Sequence, residues 1–169
     1  MTFFNVADWY WSVTGFKQVW SSATMAYVEQ TAPAYRTWSA NGYFPTVIAS
    51  PADLFLVLLQ DIQPRIMAQG VTLQCYGSPH LAGTYTLNDQ ATNLIGNING
   101  NIVAGRPLPG GGTTFNFTDA KGVQYSFTAL QFENFATACA NYAYSWQQAL
   151  ITNLNGGNTL YPSTAITIP

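Results

Sequence analysis

Charge is what this sequence most lacks. Asp, Glu, Lys and Arg make up 7% of its 169 residues, against about 25% in an ordinary soluble domain. Five basic and seven acidic side chains leave a formal net charge of −2. Without a basic cluster the chain has no electrostatic footprint for nucleic acid or for an anionic membrane surface, and neither is expected as a partner. Cysteine is scarce too: Cys75 and Cys139 are too few and too far apart to define a disulfide framework, and both read as small buried hydrophobes. No apolar run approaches the roughly 18 residues that a membrane helix needs. The strongest, Leu54 to Leu59, is flanked by Asp53 and Asp61. The N-terminal Met-Thr-Phe-Phe-Asn carries no basic stretch and no following apolar core, so it does not read as a secretory signal.

The same scarcity bears on catalysis. The one histidine, His80, falls in a turn-rich stretch and reads as a turn residue bonded to backbone or water. A Cys–His dyad would need a cysteine within reach and a third group to orient the ring. Cys75, His80 and Cys139 lack the number and spacing of zinc ligands, so no metal is expected. Asp119 suits a hairpin turn, and Glu133 suits the first turns of a helix, where the dipole favours acids. Gly110-Gly111-Gly112 has no following Lys-Ser or Lys-Thr and is no phosphate loop. No catalytic residue and no cofactor follow from these residues, and the expectation is a protein that is not an enzyme.

Apolar residues, by contrast, reach 48% and aromatics 15%, enough to build a core in a chain of this length. Polar needs fall to Asn, Gln, Ser, Thr and Tyr. Protein interfaces are likewise rich in aromatics and poor in Lys, Glu and Asp, so the balance suits a surface largely covered by partners. Trp9, Trp11, Trp20, Trp38, Tyr43, Phe44 and Tyr161 are the candidate interface residues. Aromatics at strand spacing also serve as core, and exposed rings can stack on sugars, which leaves a host glycan as a further possible partner.

The periodicities predict an α+β fold of small antiparallel hairpins packed on helices, with a long amphipathic helix near the C-terminus. Residues 1–50 read as a β-meander over 8–30 with Trp9, Trp11 and Val13 on one face, then a short helix over 33–40 capped by Thr31 and stopped by Gly42. Residues 51–70 read as a connecting helix, begun by Ser50, Pro51 and Asp53 and interrupted by Pro64. In the third region, 71–157, two strands flank Gly77-Ser78-Pro79-His80. A helix then opens at Asn88 with Leu94, Ile95, Ile98 and Ile102 on one face, weakened by Gly96 and Gly100. A hairpin over 113–127 turns at Asp119-Ala120-Lys121-Gly122, with Phe115, Phe117, Val123, Tyr125 and Phe127 facing a helix. That helix starts with the capping box Thr128 and Gln131, runs through Phe132, Phe135, Cys139, Tyr142, Trp146 and Leu150, and ends near Gly156-Gly157. Residues 158–169, uncharged and bearing two prolines, read as an extended tail that orders only against a neighbour.

Several segments taken in order resemble a known group. Trp9-Tyr10-Trp11, the run Val19 to Val28, Pro33 to Trp38 and Pro45 to Ser50 are similar to the N-terminal part of small bacteriophage and prophage proteins encoded beside tail-fibre genes. Gly83 to Leu87, Leu108-Pro109-Gly110 and Phe117 to Gly122 leading to Phe132 resemble their associated C-terminal domain of unknown function. The resemblance spans residues 9–155 and brings no catalytic residues with it. It implies a virion structural protein of the tail or tail fibre, a homo-oligomer bound to other virion proteins. The alternative it implies is a tail-fibre assembly chaperone acting in the host cytoplasm; low charge favours the particle component.

Overall fold

The computed structural model describes residues 8–24, 26–154 and 162–169. Its contacts divide the chain into two compact units, residues 1–65 with 146–162 and residues 66–145 with 163–169. The unit boundary in the first half falls inside the stretch read as a connector.

In the first unit the aromatic and β-branched run folds as expected into a meander. Strands β1 (Tyr10–Val13), β2 (Val19–Ser21) and β3 (Ala26–Val28) are antiparallel, with Trp11 opposite Trp20 and Trp20 opposite Tyr27. Helix α1 (Pro33–Ala40) then carries the chain to β4 (Thr46–Ile48), which lies parallel to β1 and gives the order β3-β2-β1-β4. Alternation sends Tyr10 and Val19 to a cluster with Trp38 of α1, while Trp11, Val13 and Trp20 are equally buried on the other face. The buried Ser22 is satisfied by Trp9: its hydroxyl accepts the Trp9 N–H at 2.7 Å and donates to the Trp9 carbonyl at 3.1 Å. Thr31 does not cap α1. The cap position is Ala32, with no side-chain bond, because Pro33 at the first helical position already removes one donor that a cap would serve.

Helix α2 (Pro51–Val57) starts where Ser50, Pro51 and Asp53 place it, the Ser50 hydroxyl accepting the Asp53 N–H at 3.2 Å. The interruption by Pro64 takes a specific form. A π-helical turn, Leu58–Ile62, precedes α3 (Gln63–Gln69), and the Gln63 N–H reaches back to Leu58. Widening the turn relieves the clash between the proline ring and the carbonyl four residues earlier.

The second unit is built on β5 (Val71–Cys75), whose outward Thr72 and Gln74 alternate with buried Val71, Leu73 and Cys75. β6 (Gly83–Tyr85) lies antiparallel to it after a 3₁₀ turn, Pro79–Leu81. Helix α4 (Asp89–Val103) is capped by Asn88, which accepts the Ala91 N–H at 2.9 Å, and it runs unbroken through Gly96 and Gly100. Ile95 and Ile102 are buried, Ile98 is half-buried, and Leu94 is exposed rather than in the core. The hairpin of β7 (Thr114–Thr118) and β8 (Gln124–Thr128) presents Phe115, Phe117 and Phe127 to α5 (Ala129–Leu154). There Phe132 and Phe135 meet them at ring separations of 4.9 to 6.0 Å. Val123 is exposed, a departure from the expected face, since it precedes the first paired residue of β8. The capping box forms in both directions: Thr128 N–H to Gln131 Oε1 at 2.9 Å and Gln131 N–H to Thr128 Oγ1 at 3.3 Å. From Trp146 onward α5 belongs to the first unit, where Trp146, Ala149 and Leu150 are buried.

The tail expectation is corrected by the last strand. β9 (Ala165–Ile168) lies parallel to β5, with Leu73 opposite Ile166 and Cys75 opposite Ile168, so the neighbour that orders it is its own chain. Ile166 and Ile168 enter the core by strand alternation. The expected helix end at Gly156-Gly157 lies outside the described residues.

Gly70, between α3 and β5, has φ +94°, and a methyl group there would sit 2.7 Å from the Tyr85 carbonyl oxygen. Gly42, after α1, has φ +83° with open space around it. Gly42→Ala should therefore lose about 1 kcal/mol for the left-handed backbone alone, whereas Gly70→Ala should lose about 3 kcal/mol because steric overlap is added. Urea unfolding of the two variants side by side checks the ordering.

Candidate functional site

The candidate interface residues separate by depth. Trp11, Trp20 and Trp38 are 2%, 1% and 6% exposed and fill the first unit's interior. Trp9 is half-buried, its indole N–H donating to Thr46 Oγ1 at 2.9 Å. Its ring stands edge-on to Trp38 at 5.0 Å, and Tyr43 lies nearly parallel to Trp38 at 5.5 Å. Trp38 thus serves as a buried support that fixes Trp9 and Tyr43 near the surface, an arrangement in which ring contacts contribute about 0.5–1.5 kcal/mol beyond burial. Tyr161 lies outside the described residues.

What remains accessible is the loop and strand that follow α1. Tyr43 is 41%, Phe44 80% and Val47 75% exposed. Among the described residues β4 is the outermost strand of its sheet, with no strand partner on one side of its backbone. No charged residue occurs between Arg36 and Asp53. Edge strands are ordinarily guarded by lysine or other charges against pairing with another chain; here Pro45 alone blunts the approach. Sequence reasoning missed Val47, although the uncharged stretch around it was a visible signal.

The titratable groups are dispersed. His80 is exposed in the 3₁₀ turn, while the Cys75 thiol donates to the Pro169 carbonyl at 3.2 Å. Asp119 is tied into the hairpin turn, its Oδ1 accepting the N–H groups of Lys121 and Val123, each at 2.8 Å. Among the described residues no group of three or more His, Cys, Asp or Glu could hold a metal ion. No described helix is long and apolar enough to cross a membrane. No family model, no curated protein and no solved structure matches the chain.

Burial raises the pKa of Tyr10, Tyr27, Tyr85 and Cys139, so that each holds its proton to higher pH than in the unfolded chain. Cys139 borders an apolar cavity of about 180 Å³ lined also by Met67, Leu87 and Ile95, and burial pushes its thiol up from 9.0 to about 12. Burial likewise raises Tyr85, whose hydroxyl donates to the Leu81 carbonyl at 3.0 Å. The folded chain keeps these protons where the unfolded chain releases them, so it binds more protons in that interval and its stability falls as pH rises. The urea midpoint should drop steadily between about pH 9 and about pH 12, and Cys139→Ala should make the decline shallower. In the native state at neutral pH, Cys139 should also resist a disulfide thiol reagent that modifies it at once in urea.

Proposed function

We propose that this chain is a non-catalytic structural component of a bacteriophage virion, associated with the tail or tail fibre and assembled through uncharged aromatic and aliphatic surface. The observation that carries the reading is the β4 edge: among the described residues an outermost strand that exposes Val47 and follows the exposed Phe44, with no charged side chain between Arg36 and Asp53. On a free monomer such an edge is a template for unwanted strand pairing. On a particle subunit it is the part that a neighbour covers. The resemblance carried by Trp9-Tyr10-Trp11, Pro33 to Trp38 and Gly83 to Leu87 supports the tail assignment. Symmetric copies of one chain would meet through this patch or against other virion proteins.

Quantitative peptide mass spectrometry on purified particles, with the major capsid protein as internal standard, tests the assignment. A fixed copy number matching the particle's rotational symmetry is expected. Absence from particles with abundance in lysate, bound to fibre, would overturn it in favour of an assembly chaperone. The double variant Phe44→Ser, Val47→Lys should keep its melting temperature within a few degrees yet enter particles at least about tenfold less, the loss expected when about 1.4 kcal/mol of contact is removed.

A further inference from the structure

The second unit holds a groove of about 440 Å³ that the virion reading leaves unused. One wall is β7, from Phe115 to the turn at Asp119 and Ala120. The other is the chain leaving β6 for α4, including Thr86, Asn88 and Ala91. A single hydrogen bond, Ala120 N–H to the Thr84 carbonyl at 2.7 Å, joins the two walls at one end.

The backbone of β7 decides what the groove can hold. At the hairpin turn Asp119 N–H donates to the Val123 carbonyl at 2.9 Å. Hydrogen bonding in an antiparallel ladder alternates by residue, so Phe117 and Phe115 direct their backbone groups at β8, while Asn116 and Thr118 direct theirs away from it. β7 and β8 form a two-stranded sheet, so among the described residues this side of β7 has no strand partner. Asn116 and Thr118 both line the groove, each presenting one amide donor and one carbonyl acceptor at strand spacing. β6 is also the outer strand of its own sheet. The strand edge that the groove offers is therefore that of β7, since the outward Thr84 carbonyl of β6 is already taken by Ala120.

Side-chain chemistry narrows the occupant further. Leu94, Ile98, Pro109 and Phe115 offer apolar contact, and Thr86, Asn88 and Gln90 offer uncharged polar contact. No lysine, arginine, histidine or glutamate lines the groove, and its one carboxylate, Asp119, is engaged by Lys121 and Val123 N–H groups. An acidic segment would enter without a counter-charge, a basic one would find only a carboxylate already held by two N–H bonds, and a neutral one matches the walls.

We propose that this groove takes an extended, uncharged segment of a partner protein as an added strand on β7, its alternate apolar side chains resting on Leu94, Ile98 and Pro109. Main-chain bonds to Asn116 and Thr118 would hold the segment, and the apolar floor would select its side chains. The inference rests on the groove alone and does not depend on virion membership.

The test uses the full chain and a labelled, end-capped pentapeptide of alternating Thr and Val. Saturable binding is expected, together with slowed amide exchange at Asn116 and Thr118. Asn116→Pro removes an outward donor without touching the β8 ladder. Its matched control is Ser126→Pro on β8, which sits directly opposite Asn116 and directs its amide to the far edge of the hairpin. Asn116→Pro should weaken binding at least about tenfold and Ser126→Pro less than about twofold, a difference of about 1 kcal/mol. Failure of the wild-type chain to bind saturably would overturn the proposal, as would protection at other amides or equal weakening in both variants. So would a concentration-dependent dimer that protects the same amides without peptide, since the occupant would then be a second copy. The exchange measurement needs no variant and remains decisive if either proline variant fails to fold.

Discussion

The parallel pairing of β5 with β9 is the constraint on which the second unit depends. It joins Cys75 to a segment 94 residues further along at Pro169. Closing a flexible loop of that length costs on the order of 4 kcal/mol of chain entropy. Packing of the helix and hairpin between the two strands shortens the free chain to be closed and so lowers that cost. β5 is the central strand of its sheet, with β6 on one side and β9 on the other. Without β9, the buried Leu73 and Cys75 would border an open edge. The same closure makes both units discontinuous in sequence, because α5 crosses from one to the other before the chain returns.

Aromatic packing does in this protein what charge does in many others. In the second unit Tyr85, Phe115, Phe117, Phe127, Phe132 and Phe135 form a connected set of tilted and edge-on rings between a hairpin and a helix. In the first, Tyr10, Tyr35, Trp38, Trp9 and Tyr43 grade from buried to exposed without a break. The interior of that unit thus continues directly into its accessible patch. Trp9 and Trp38 hold Tyr43 by ring contacts, so a neighbour seated on Tyr43 would meet a ring already fixed from beneath.

Local chemistry was the legible part of the sequence. Ser50 before Pro51, Asn88 before α4 and the Thr128–Gln131 box mark helix starts through bonds within a few residues, and the structure forms each of them. The meander and the hairpin follow from alternation alone. Non-local facts were not legible. Nothing within Ala165–Ile168 says that its partner is β5, since an uncharged alternating segment suits any strand edge. Leu94 shows the same limit: its spacing matches Ile95 and Ile98, but whether it is covered depends on what stands across the groove. The tryptophans were legible as a set and not one by one, because Trp11 and Trp20 owe their burial to cover on both faces of the sheet. Of the candidate patch, Tyr43 and Phe44 could be read from composition, while Val47 required knowing that β4 is an edge.

The position of β9 also sets an order of events during synthesis. A nascent chain can form the meander of the first unit early, because its strands are near neighbours in sequence. The sheet of the second unit cannot close until Ala165–Ile168 has left the ribosome. A chain cut short before that point retains most of its aromatic residues but has no strand to seal β5, and it remains open to adventitious pairing. Emergence of β9 therefore sets the moment at which β5 gains its second neighbour and the sheet of the second unit can be sealed.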